Sequence, residues 1–160
     1  MKRGFPVLAL LLASAVNVVG AADVPKLSAG ERALLLDTKR FQPVTSFTAL
    51  PASVRDVCVG HDGRVADPGE PFNAGCVIGP DSPPSVRMDW ASYSPADHVY
   101  VLHFERGGIA HMFYVVVLRE SDGSAAIEWA GSSKPPQQLE NDAAFVEALK
   151  ANALTDSRWR

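Results

Sequence analysis

The chain reads as a small α+β domain: an antiparallel sheet of about four or five strands, an N-terminal and a C-terminal helix, and one disulfide. Three observations carry this expectation. Residues 98–119 form two apolar arms around Gly107-Gly108, and Ser28 with Glu31 spells a helix start. Cys58 and Cys76 make an even pair in a sequence that opens with an export-type leader.

The leader is read from Lys2 and Arg3, the apolar run from Phe5 to Val19, and the small residues Gly20-Ala21-Ala22. That order matches a secretory signal peptide over 1–22, leaving 23–160 as a single exported domain, periplasmic or secreted. No later segment is long and apolar enough to read as a membrane span. Without Lys2 and Arg3 the 15 basic residues fall to 13 against 18 acidic ones. An acidic chain without a basic block lacks the clustered cations that nucleic acid requires, and those that anionic lipid requires. In an exported chain two cysteines pair by default, so Cys58 and Cys76 are expected to staple the intervening loop.

Residues 28–39 are expected to form the first helix, with Ser28 and Glu31 as a capping box and Pro43 beyond its end. Phe41 and Phe47 are candidate anchors for the connection that follows. Val54, Val57 and Val59 suggest a short strand, and the Gly- and Pro-rich stretch 60–84 suggests a long loop. Val86 to Ala91 reads as a strand with Val86, Met88 and Trp90 on one side and Arg87 and Asp89 on the other. Helical spacing of Phe145, Val146 and Leu149 predicts a last helix from Asn141 or Asp142 to about Asn152.

A two-residue loop at Gly107-Gly108 would place Arg106 opposite Ile109. One face would then hold Tyr100/Val115, Leu102/Phe113 and Phe104/His111, and the other Val101/Tyr114, His103/Met112 and Glu105/Ala110. Asp122-Gly123 predicts a second tight hairpin with Leu118 opposite Ile127 and Trp129 opposite Val116. Both arms of the first hairpin are apolar on both faces, so both faces need cover.

The chemistry-bearing motifs are sparse. His98 and His111 share a face in that register but sit about 20 Å apart at the strand rise, His103 faces away, and His61 lies in the loop. No metal site is expected from these four histidines. Asp62, Asp67 and Glu70 do not match a calcium-loop spacing. No phosphate-binding, zinc-protease or nucleophile-elbow motif occurs, and no cofactor is expected. His103 and Glu105, two apart on one strand, offer a base with a carboxylate to orient it, the basis for a small hydrolase or isomerase.

The preferred expectation is a non-enzymatic module that binds a protein of the cell envelope. It would act as an inhibitor or immunity-type protein through the disulfide-constrained loop. Arg64, Phe72 and Asn73 in that loop, and Tyr93 in the turn before the hairpin, are the candidate contact residues, because Arg and aromatic side chains combine buried area with a polar end. A homodimer is compatible with the same composition. A small-ligand domain with an apolar cavity under the sheet is the alternative.

Overall fold

Six strands form one open antiparallel sheet in sequence order, β1 (Gln42–Val44), β2 (Val86–Ser94), β3 (Val99–Arg106), β4 (Met112–Ser121), β5 (Ser124–Ser133) and β6 (Leu154–Asp156). Three α-helices accompany it among the described residues: α1 (Ala29–Leu36), α2 (Ala52–Cys58) and α3 (Asp142–Lys150). The structure, a computed structural model, describes residues 24–59, 62–77 and 79–159. The leader at 1–22 and His61 lie outside these residues.

Each face of the sheet has its own apolar layer. On one, Leu35 of α1 and Phe145, Val146 and Leu149 of α3 pack over Val99, Val101, Val115, Val117 and Trp129. On the other, Val54 and Cys58 of α2 join Phe47 and Leu50 over Met88, Leu102, Phe104, Val116 and Leu118. The C-terminal tail completes this second layer. Trp159 stacks on Phe104 at 4.6 Å and meets Tyr114 edge-on at 5.5 Å, the offset and perpendicular geometries that aromatic quadrupoles favour.

The helix signals in the sequence are realised. Ser28 and Glu31 form the reciprocal capping box, at 2.7 and 3.2 Å. The helix ends at Leu36, and a 3-10 turn over Thr38–Arg40 takes up the rest of the expected span. The Asn141 side chain caps α3 by accepting from the Ala144 N–H at 2.9 Å. Arg32 ties the two helices by donating to the Leu149 carbonyl. The stretch expected as a strand around Val54 is instead α2. Val54 and Cys58 stand four apart on its buried side, and Pro51 immediately precedes its first residue, where the missing N–H costs nothing.

The first hairpin departs from the expected register. Arg106 pairs with Met112, so the loop is five residues long, and Phe104 faces Tyr114, Leu102 faces Val116 and Glu105 faces Phe113. The glycines serve a different purpose from a tight turn. The Gly107 N–H donates to the Ser85 carbonyl and the Gly108 N–H to Ala74. A β-carbon on Gly107 would lie 2.0 Å from the Asn73 carbonyl oxygen. Glycine is needed there for close approach to Asn73 and Ala74, a contact that a tight two-residue turn does not require. The second hairpin does close at Asp122-Gly123, both at positive φ, with Leu118 opposite Ile127.

Two β-bulges account for the remaining differences. One at Asp89 leaves Met88 opposite Phe104 and Trp90 opposite His103, which turns Trp90 away from Val86 and Met88. The other at Glu128 sets Trp129 opposite Val117. An extra residue in one strand re-aims side chains in this way.

At the opposite end of the sheet, the turn between β2 and β3 is held by Asp97. It accepts from the Ser94 hydroxyl at 2.6 Å and from Arg40 at 3.0 Å. The Ser94 hydrogen bond, and then Arg40, hold this carboxyl below the usual carboxylate range.

The expected disulfide is absent. Cys58 is buried under the sheet on α2, whereas Cys76 is exposed on the loop beside the first hairpin. Among the described residues the fold is therefore a six-stranded sheet with three α-helices and no staple. Two outcomes follow. The melting temperature of the protein should be the same with and without a reducing agent, and a drop of several degrees on reduction would contradict the arrangement. Gly107→Ala should cost about 1–3 kcal/mol in denaturant unfolding, because the backbone it would strike has to move.

Candidate functional site

α1 and α3 cover only part of their face. Beyond them, toward the first hairpin loop, the same face carries Arg87, Asp89, His103, Glu105 and Phe113, with His111 reaching in from the loop. Register explains most of this placement. Arg87 is opposite Glu105, which is opposite Phe113, so all three share a face. Asp89 stands two residues from Arg87 and keeps to that face, and the bulge after Met88 brings Trp90 to it as well.

His103 is a closed group. Its Nδ1 lies 3.0 Å from Asp89 Oδ2, and its Nε2 accepts from the Leu139 backbone N–H at 3.4 Å. The Leu139 donor assigns the proton to Nδ1, which donates to Asp89. The side chain is 1 % exposed, and Leu139 itself is held by the Trp90 indole N–H at 2.7 Å. Both imidazole nitrogens are thus engaged inside the protein.

Glu105, 8 % exposed at its side chain, does not bond His103. Its Oε2 accepts from Arg87 Nη2, and its Oε1 lies 2.6 Å from His111 Nε2. Arg87 also donates from Nε to Asp89 Oδ1 at 3.1 Å. One guanidinium therefore spans two buried carboxylates, and each carboxylate orients one imidazole. His111 differs from His103 in exposure, with 43 % of its side chain open to solvent. With Nε2–H donating to Glu105, neutral His111 carries its free lone pair on Nδ1.

Aromatic rings line the same strip. Trp90 and His103 are stacked with centroids 5.6 Å apart and His103 and Phe113 at 6.0 Å, while His111 lies tilted against Phe113 at 5.1 Å. Phe72 lies 6.2 Å from His111, and the Arg87 guanidinium sits 4.6 Å over the Phe72 ring. Cation–π contact of this kind contributes about 0.5–2 kcal/mol.

The sequence-derived candidates thus separate. Phe72, His103 and Glu105 belong to this strip. Arg64 is exposed and donates to the Ser82 carbonyl at 3.0 Å. Asn73 braces its own loop, accepting from Gly75 N–H and donating to the Val77 carbonyl. Tyr93 stacks on Tyr100 at 4.2 Å near the far end of the sheet, against the α2 layer. Burial, and then Glu120, push the Tyr100 phenol well above its ordinary range. The sequence does not announce Asp89 and His111 as partners of His103 and Glu105. Alternation sets Asp89 on the face of Arg87 but does not name the strand it pairs with, and His111 reaches Glu105 across a loop of five residues that no periodic pattern marks.

The loop-mediated binding role falls with the disulfide on which it rested. The apolar-cavity alternative finds no support among the described residues: the apolar space among Leu35, Phe41, Val101, Phe145 and Val146 is about 10 Å³, the size of one water. No group of three or more His, Cys, Asp or Glu among the described residues is arranged to hold a metal ion.

The importance of Asp89 can be measured directly. Asp89→Ala leaves the buried Nδ1–H of His103 unpaired and removes one arm of Arg87, so unfolding free energy should fall by about 3 kcal/mol. Asp89→Asn keeps the acceptor for His103 and should lose less. Equal stability of all three proteins would show that the network is not buried as described. The chain matches no known family model, no curated protein and no solved structure.

Proposed function

We propose that the chain performs proton transfer at His111, with Glu105 as the residue that positions the ring. The observation that supports this reading is the 2.6 Å contact between His111 Nε2 and the buried Glu105 carboxylate, on a histidine whose side chain is 43 % exposed. A general base needs a nitrogen lone pair facing its substrate and a partner that fixes the tautomer. Glu105 supplies the second, Arg87 holds Glu105 in place, and Nδ1 of His111 supplies the first.

This assignment differs from a His103–Glu105 pair. His103 has both nitrogens occupied within the protein and has no route to exchange a proton with a substrate. Its part is to stack between Trp90 and Phe113 and so maintain the strip on which His111 stands. The substrate is a molecule with an acidic O–H or an activated acyl carbon that reaches the solvent side of His111, beside Phe72.

The test uses 4-nitrophenyl acetate as an activated acyl probe, and ¹⁵N spectra of the imidazole rings. The wild-type chain should accelerate hydrolysis relative to His111→Ala by about a hundredfold or more, the scale of general base catalysis. Glu105→Gln should lower the rate and mix the His111 tautomers, while ¹⁵N spectra of the wild type should show the His111 proton on Nε2. A wild-type rate equal to that of His111→Ala would overturn the reading.

A further inference from the structure

Residues 134–140 run from the end of β5 toward α3 without regular secondary structure. Leu139 is the one buried residue among them, at 7 % exposure. The segment is tied at its root by Ser133, whose Oγ accepts from the Gln137 N–H at 2.7 Å and donates to the Gln137 carbonyl at 3.1 Å. Beyond that root, its hydrogen bonds to the sheet among the described residues are both made by Leu139. The carbonyl accepts from the Trp90 indole at 2.7 Å, and the N–H donates to His103 Nε2 at 3.4 Å.

The bond to His103 exists only while Nε2 keeps its lone pair. An imidazolium carries an N–H on both nitrogens and accepts nothing. Nδ1–H is already given to Asp89, so a second proton goes to Nε2 and faces the Leu139 N–H. Two donors then oppose one another beside a side chain that is 1 % exposed. Buried polar hydrogens without acceptors are costly. Moving Leu139 away removes the opposition and lets water reach the new charge. The other charged groups stay as they are. Asp89 on β2 remains paired with the ring, and Arg87 sits on its second oxygen. Glu105 on β3 is taken up by Arg87 and His111, and β4 brings the uncharged ring of Phe113. Phe145 of α3 meets Trp90, and Asp142 at the start of that helix is exposed. Lys134 and Glu140 are exposed as well, and residues 135–139 carry no charge.

We infer that residues 134–140 form an acid-released strap. Protonation of His103 at Nε2 lifts Leu139 from the sheet and uncovers His103 and the Trp90 indole, while the sheet itself stays folded. The lifted state holds one proton more than the closed one. Closure is therefore favoured at high pH and weakens by up to about tenfold per unit as the pH falls. The strap answers to His103 whether or not His111 transfers protons.

The test follows the full chain by NMR between about pH 8 and pH 5, the range in which imidazole ordinarily changes charge. The Leu139 amide should lose hydrogen-exchange protection by about tenfold per pH unit, over the interval in which the His103 ¹⁵N signals report a second proton. The Trp90 indole N–H should shift over that same interval, while the Leu102 and Val116 amides stay protected. His103→Gln offers an amide oxygen to Leu139 and an amide N–H to Asp89 with nothing to titrate. Its Leu139 protection should be independent of pH. Protection that falls equally in wild type and His103→Gln would overturn the inference, as would a charged His103 with Leu139 still protected. Loss of the Leu102 and Val116 amides in the same step would overturn it too. If the glutamine variant does not fold, the wild-type spectra decide alone: a His103 that stays neutral throughout the range, whatever Leu139 does, ends the proposal.

Discussion

A buried carboxylate at Asp89 is the constraint on which one half of the helical face depends. Ionised groups are costly to remove from water, and the cost is offset only by complete pairing. Asp89 meets that condition with Arg87 and His103. Arg87 in turn carries the same requirement to Glu105, and Glu105 carries it to His111. Each partner is fixed because the previous one would otherwise be left unpaired. The result is a polar strip of set geometry on a sheet whose remaining surface is packed with Val, Leu and aromatic side chains.

The bulge is what lets this strip coexist with the opposite core. Arg87 faces the helical side and Met88 the α2 side, as strict alternation demands. Regular pairing would then send Trp90 into the α2 layer, where Met88, Leu102 and Phe104 already fill the space. One inserted residue keeps Asp89 on the helical face beside Arg87 and moves Trp90 there too. The indole there reaches the Leu139 carbonyl, and Leu139 closes over His103. The same device at Glu128 turns Trp129 to pack under α3, on the face where Glu128 pairs with Arg119.

The elements legible in the sequence are those set by local rules. Ser28 and Glu31 announce a capping box, Asn141 announces a cap, and Asp122-Gly123 announces a turn that needs positive φ at both positions. What was not legible depends on contacts distant in sequence. The Gly107-Gly108 pair looks like a tight turn, yet its amides are spent on Ser85 and Ala74. The three valines near Val54 suit a strand by propensity, but tertiary packing selects the helix that buries Val54 and Cys58 on one side. His103 and Glu105 do share a face, as alternation predicts. Their bonding partners depend on which strand lies beside β3 and on a loop length, which no residue pattern encodes.

The outer side of β2 has a consequence for how copies of this chain meet. β1 covers β2 only opposite Ala91, Ser92 and Tyr93, and Ala66 bridges it at Arg87. The Ala66 N–H donates to the Val86 carbonyl, and the Ala66 carbonyl accepts from Met88. The strand is thus capped twice by short pieces running in opposite senses, and β1 itself holds Pro43 at its centre. Proline brings no N–H to a growing ladder. A three-residue edge broken by proline offers a poor template for another strand, so on this side the sheet resists extension from molecule to molecule.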